Sequence, residues 1–269
     1  MPIYDINGNP IVIGGGEGIT VKRNNAEMAA QFLGVAQSYL NQSGMTYQDA
    51  QTIFDSASNI HGVDCSTFVM LCLLGYDFSD TPYSTGVSVN PNAYEAKTNK
   101  YEWAINPRKY KNSYLASGAN PSTVRYAAQL CRWMEARNQT VPLTDGFADV
   151  LPGDIVFWSA KNQSTGDWYN PTFYGKIHHV GIILTKESAP NTFEYVDGNG
   201  VTQTGTWDKT KYPYKHQIIE VVNVSPPCTT AHWLEEGQED PANVYKHNVN
   251  TIYRICRPDL GALAALTAE

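Results

Sequence analysis

The sequence predicts an α+β domain in which the helices come first along the chain and the strands follow. Apolar residues repeat at helical spacing in the first half of the chain. From residue 155 onward, short runs rich in Val, Ile, Phe and Tyr alternate with turns that contain Gly, Asn or Pro. Segregated helices and strands favour a central antiparallel sheet over alternating βαβ units. A chain of 269 residues is long enough to bury a full core around such a sheet.

The N-terminal part predicts an extension followed by a helix. Residues 1–20 end in the glycine-rich stretch G-G-G-E-G, which is typical of a flexible join. Asn24 or Asn25 can cap a helix that runs to about Gln42, with apolar residues at helical spacing. We therefore expect an N-terminal extension over residues 1–20 and one domain over residues 21–269.

The apolar run at residues 66–74 predicts a buried helix that ends at Gly75, a typical C-cap.

Residues 76–120 are rich in Tyr, Asn, Ser and Pro and show no clear period. So long an irregular stretch is unusual in a compact domain, and it predicts an insertion. The insertion either forms a lid over a site or decorates the surface. An amphipathic helix is expected at residues 122–137.

The second half of the chain predicts a series of strands separated by turns. The turn L-P-G-D precedes the first of them, and D-G-N-G follows the third. The predicted strands cover residues 155–158, 177–184, 193–197, 218–224 and 252–256.

Charge and residue spacing exclude several classes of function. The net charge is −7 and the pI is near 5.4, whereas nucleic-acid binding needs a clustered basic surface. The five cysteines form no C-x-x-C pair, and the His178-His179 pair has no third ligand at a recognisable spacing. We therefore expect no nucleic-acid partner, no metal and no cofactor.

The N-terminus carries no recognisable export signal. Residues 1–16 lack a basic segment followed by a long apolar stretch, and no run of about 18 apolar residues occurs. We expect no signal peptide and no membrane insertion. The chain would then be cytoplasmic as made, or it would be released or carried by a phage particle.

Cys65 stands at the start of the predicted apolar helix, between Asp64 and Ser66. A helix N-terminus offers free N–H groups and a dipole, which lower the pKa of a thiol and can hold an oxyanion. Asp64 is expected to hydrogen-bond near the helix start, and Ser66 to contribute to capping or to an oxyanion site. The alternative for Cys65 is a buried structural cysteine, because free cysteines are among the most buried residues.

A thiol nucleophile also needs a base and a group that orients the base. His179 opens the strand V-G-I-I-L, and Gly181, two residues later on the same face, leaves room for close packing. Asp197 ends the next predicted strand, with Asn199 two residues further on. Either can orient the base, although D-G-N-G is also a strong turn signal.

These residues resemble a known family. The segments D64-C65-S66-T-F-V, L151-P-G-D-I-V-F-W, H179-V-G-I-I-L and Y195-V-D are similar to the motifs of the NlpC-type cell-wall cysteine peptidases, in the same order. The resemblance covers roughly residues 45–200. It implies a papain-like fold, in which the nucleophile helix packs on a central antiparallel sheet.

The resemblance also implies roles for individual residues. Cys65 would be the nucleophile, His179 the base and Asp197 the orienting residue. The D197-G-N199 stretch is similar to the related CHAP-type amidases, in which an acidic residue and an Asn two positions later take part. The implied substrate is the stem peptide of peptidoglycan or its amide bond.

The sequence therefore predicts a monomeric cysteine hydrolase that cleaves peptide or amide bonds of peptidoglycan. Two alternatives stay open. One keeps the chemistry and changes the substrate, which gives an acyltransferase or an amidase on another amide. The other is a catalytically silent binding module of the same fold.

Overall fold

The computed structural model describes residues 25–47, 62–81, 94–107, 127–137, 139–143, 147–159, 177–197, 199–210, 212–232 and 252–260. The expected N-terminal extension, residues 1–20, lies outside the described residues. The expectation of a single domain over residues 21–269 stays a prediction.

Three α-helices occur in the described part of the chain: α1 (Asn25–Gln37), α2 (Cys65–Leu74) and α3 (Ala127–Glu135). Helix α1 ends before the expected residue 42. The chain turns there, Ser38 Oγ donates a hydrogen bond to the carbonyl of Val35, and Asn41 adopts a left-handed conformation with φ 58°. None of these helices is long and apolar enough to cross a bilayer.

The strands form one large antiparallel sheet and two small pairs, which confirms the α+β class. The six-stranded sheet has the order β3-β10-β4-β5-β8-β9. Its strands are β3 (Thr140–Val141), β4 (Ile155–Ser159), β5 (Ile177–Ser188), β8 (Tyr214–Val221), β9 (Cys228–His232) and β10 (Ile252–Cys256). The small pairs are β1 (Thr46–Tyr47) with β2 (Gly62–Val63), which are parallel, and β6 (Thr192–Val196) with β7 (Thr202–Thr206), which are antiparallel.

The sequence assigned residues 193–197 to the strand next to His179, and that assignment is wrong. Strand β6 pairs with β7 in a separate hairpin, and the neighbours of β5 are β4 and β8. The hairpin has its own small apolar cluster, formed by Ala189, Trp207 and Tyr212 with Phe193 packed against it. Because this cluster holds β6 away from the large sheet, β8 takes the place beside β5.

Helix α2 is almost completely buried. Every residue from Ser66 to Leu74 is buried, which fits the apolar run from Phe68 to Leu74. The helix ends at Gly75, whose φ of 79° is left-handed, as expected for a glycine C-cap. Residues of α2 share one core cluster with Val180 and Ile182 of β5, so this helix packs on one face of the large sheet.

The described part of the expected insertion belongs to the core. Trp103 and Ile105 are buried, and Trp103 Nε1 donates a hydrogen bond to Gln31 Oε1 of α1. The backbone N–H of Ile105 donates to the carbonyl of Leu73, near the end of α2. This end is about 13 Å from Cys65 along the helix. Residues 94–107 therefore do not form a lid over the start of α2.

Candidate active site

Cys65 is the first residue of α2, and Asp64 caps the helix. The carboxylate of Asp64 accepts a hydrogen bond of 2.7 Å from the backbone N–H of Thr67. Ser66 Oγ donates to both carboxylate oxygens, each at 3.1 Å. As expected, Asp64 hydrogen-bonds at the helix start, and Ser66 contributes to capping rather than facing a substrate. The cap fixes the backbone that presents the thiol.

The sulfur of Cys65 lies against strand β5. The backbone N–H of Val180 lies against it and lowers its pKa, as do the N–H groups of Ser66 and Cys65 at the helix start. The N–H of Val180 belongs to the peptide group that joins Val180 to His179. The start of α2 and the start of β5 therefore meet, and the thiol lies beside the backbone of the expected base.

Burial raises the pKa of the Cys65 thiol, and the nearby charge of Asp64 raises it further. The N–H groups at the helix start lower it, as predicted, but burial outweighs them. Part of the side chain is accessible to solvent, yet protein surrounds the sulfur closely enough for desolvation to dominate. The expected lowering of this pKa is therefore wrong: burial raises it, which favours the protonated sulfur.

His179 is held by a buried carboxylate that the sequence analysis did not identify. Nε2 of His179 lies 2.7 Å from Oε2 of Glu220 on β8. The side chain of Glu220 is 0% exposed and that of His179 is 11% exposed. A buried carboxylate is costly unless it is paired, so this contact places Glu220 to stabilise a protonated imidazole.

The register of the sheet explains why the two side chains meet. Gly181 is paired with Glu220 across β5 and β8, and His179 precedes Gly181 by two residues, on the same face. Trp158 of β4 is paired with His179, and the two ring centroids are 5.3 Å apart. A tryptophan thus covers one side of the imidazole, and a carboxylate holds its Nε2.

Gly181 leaves the space that this arrangement needs, as the sequence predicted. A Cβ at this position would lie 2.9 Å from the carbonyl oxygen of Ile219, 3.5 Å from Trp158 and 3.6 Å from the Cβ of Glu220. The backbone of β8 would have to move, because a carbonyl oxygen cannot rotate away as a flexible side chain can. A side chain at position 181 would therefore displace the strand that carries Glu220.

We expect Gly181→Ala to destabilise the protein by about 1–3 kcal/mol, because overpacking forces backbone shifts of this kind. Urea unfolding of the wild type and the variant measures the difference. Gly34→Ala is the matched control, because Gly34 lies on the exposed side of α1 with nothing within 4 Å of the added methyl group. That variant should gain up to about 1 kcal/mol from helix propensity. A Gly181→Ala protein as stable as the wild type would contradict the close packing.

Asp197 and Asn199 lie in the turn of the β6–β7 hairpin rather than beside His179. The carboxylate of Asp197 accepts hydrogen bonds from the backbone N–H groups of Asn199 and Val201 and from Nε2 of Gln203. These donors hold the pKa of Asp197 below its usual range, with the Val201 N–H contributing most. The stretch D-G-N-G therefore forms a turn, as its composition indicated. The assignment of Asp197 as the residue that orients His179 is wrong.

A signal for Glu220 was present in the sequence. It stands in the run I218-I-E-V-V, where a single carboxylate interrupts four apolar residues. Acidic residues are almost never fully buried without a partner. A charged residue inside such a run therefore predicts a buried partner, and His179 is that partner.

The described part of the chain offers no metal site, since no three His, Cys, Asp or Glu side chains gather within it.

Comparisons with protein-family models, with curated proteins and with solved structures find no match for this chain.

Proposed function

We propose that the chain is a papain-like cysteine hydrolase that cleaves a peptide or amide bond. Cys65 is the nucleophile, His179 is the base, and Glu220 takes the orienting role. One observation carries this proposal: His179, which a buried carboxylate holds, directly precedes Val180, and the backbone N–H of Val180 lies against the helix-start thiol. A thiol hydrolase needs a thiol nucleophile, an imidazole that accepts its proton and a carboxylate that orients the imidazole.

The first step uses the sulfur and the imidazole. Sγ of Cys65 attacks the carbonyl carbon of the substrate while a ring nitrogen of His179 accepts the thiol proton. Because Nε2 faces Glu220, Nδ1 is the ring nitrogen assigned to this exchange.

The surrounding groups support the charges that form. The carboxylate of Glu220 stabilises the imidazolium that results from proton transfer. The backbone N–H groups of Cys65 and Ser66 lie at the helix start beside the sulfur, and we assign them to the oxygen of the tetrahedral intermediate. The imidazolium then protonates the leaving amine, and water hydrolyses the thioester.

The substrate class follows from the resemblance to the NlpC-type peptidases and the CHAP-type amidases. We assign a peptidoglycan stem peptide, or the amide that joins it to the sugar, as the bond that is cut. Such a protein works at the cell wall.

The raised pKa of Cys65 favours a second candidate, a catalytically silent module that binds the same material. A desolvated thiol with no base in reach is an unreactive core group. The two candidates differ in one respect: only the hydrolase releases new termini from the substrate.

Purified peptidoglycan digested by the protein tests the proposal directly. Mass spectrometry of the soluble products should reveal new amino termini or released stem peptides. Protein alkylated at Cys65 with iodoacetamide serves as the control and should release none. Sacculi that bind the protein and stay uncut would favour the silent module.

A further inference from the structure

Two other cysteines lie together in the core, on elements that the proposed chemistry does not use. Cys131 of α3 and Cys256 of β10 are both 0% exposed and belong to the same core cluster. The thiol of Cys256 lies near enough to that of Cys131 to raise its pKa. Both carry free thiols in this structure.

A neighbouring ion pair fixes the alignment of the same two elements. Arg254 Nε on β10 lies 2.7 Å from Oε1 of Glu135 on α3. Cys131 stands four residues before Glu135, one helical turn or about 6 Å away. Cys256 stands two residues after Arg254, on the same face of the strand and about 7 Å away. Because the two steps are nearly equal, the ion pair and the thiol pair form two successive rungs between the helix and the strand.

We propose that Cys131 and Cys256 are a redox modification site, which closes into a disulfide when the chain folds in the presence of a small disulfide oxidant. A disulfide needs an S–S distance of about 2 Å, and thiols that face one another between two packed elements can reach it by side-chain rotation. This inference stands independently of the proposed hydrolase.

The chemistry balances with a small disulfide such as glutathione disulfide. The thiolate of one cysteine attacks the oxidant, forms a mixed disulfide and releases one small thiol. The second cysteine then attacks the protein sulfur of that mixed disulfide and releases the other small thiol. The two protein thiols lose two protons and two electrons, and the oxidant is reduced to two thiols.

Burial decides when this exchange takes place. Burial raises the pKa of Cys131, the contact with Cys256 raises it further, and the folded core shields both sulfurs. Attack on an oxidant is therefore slow in the native protein and fast before the core closes. Cys65 stands outside the pair, at the partly exposed start of α2, so the oxidised protein keeps its proposed nucleophile as a thiol.

The disulfide can be mapped in the full-length protein. The chain is folded from urea with glutathione and glutathione disulfide, alkylated with iodoacetamide in denaturant, and digested with trypsin. We expect peptide 126–132 linked to peptide 255–269, with Cys65, Cys72 and Cys228 alkylated. Recovery of Cys131 and Cys256 as alkylated or glutathionylated peptides would overturn the proposal, as would a Cys72–Cys228 link in its place.

Thermal unfolding provides a second measurement. The link closes a long loop, so the oxidised wild type should melt roughly 5 °C or more above the reduced protein. The variant Cys256→Ala should melt at the same temperature in both conditions. An oxidised wild type with no gain in Tm over its reduced form would contradict a disulfide in this place.

Discussion

Replacing Cys65 with alanine should lower the rate of peptidoglycan cleavage by 10³-fold or more. The variant loses the only atom that forms a bond to the substrate in the proposed mechanism, so no acyl-enzyme can form. The side chain is partly exposed and caps no helix, so the fold should survive its loss. Release of soluble stem peptides, measured by mass spectrometry over time, gives the rate.

A matched cysteine variant distinguishes the loss of the nucleophile from a general effect of removing a buried thiol. Cys131→Ala removes a fully buried thiol on α3, an element that the proposed chemistry does not use, and it should keep the wild-type rate in the folded fraction of the sample. Circular dichroism of both variants reports that folded fraction. Cleavage by Cys65→Ala at the wild-type rate would rule out a cysteine hydrolase centred on this residue.

Replacing Glu220 with glutamine should lower kcat by roughly 10²-fold or more, because the orienting carboxylate of a catalytic histidine has effects of this size. Glutamine fills the same volume and can still hydrogen-bond to Nε2 of His179. It carries no charge, so it cannot stabilise the imidazolium that forms when His179 takes the thiol proton. The loss should therefore appear in kcat, with KM almost unchanged.

Asp197→Asn is the control for Glu220→Gln, because it makes the same chemical change at the residue that the sequence favoured. Asparagine also accepts the hydrogen bonds of a tight turn, so the hairpin should keep its shape. We expect its rate to stay within about twofold of the wild type. A large loss in Asp197→Asn with none in Glu220→Gln would return the orienting role to the hairpin.

Local sequence signals predicted the elements, and long-range packing decided their neighbours. Helix α2, with its glycine C-cap, and strand β4 follow from apolar patterning and turn residues, which are local properties. The position of β6 does not follow from them. An apolar cluster around Trp207 and Tyr212 holds this strand in its own hairpin, and both residues come later in the chain than the strand itself.

In the candidate site, too, the features set by local sequence could be predicted and those set by long-range packing could not. Cys65, with its cap Asp64, could be predicted because a helix start is a local feature. The partner of His179 could not be predicted by counting along the chain, because the strand next to β5 begins 26 residues after β5 ends. The raised pKa of Cys65 was missed for a similar reason, since burial depends on the whole fold and the helix start alone predicts the opposite direction.

The most direct test of the central claim is the rate at which iodoacetamide labels Cys65 at neutral pH in the wild type and in His179→Ala. Burial favours the protonated sulfur, so rapid labelling requires a base that takes the proton. The other four cysteines are buried, and intact mass should therefore record a single addition to the native protein.

We expect the wild type to react at least tenfold faster than His179→Ala, with the label mapped to Cys65 by peptide fragmentation. Equal rates in the two proteins would contradict the account, because His179 would then take no part in activating the thiol.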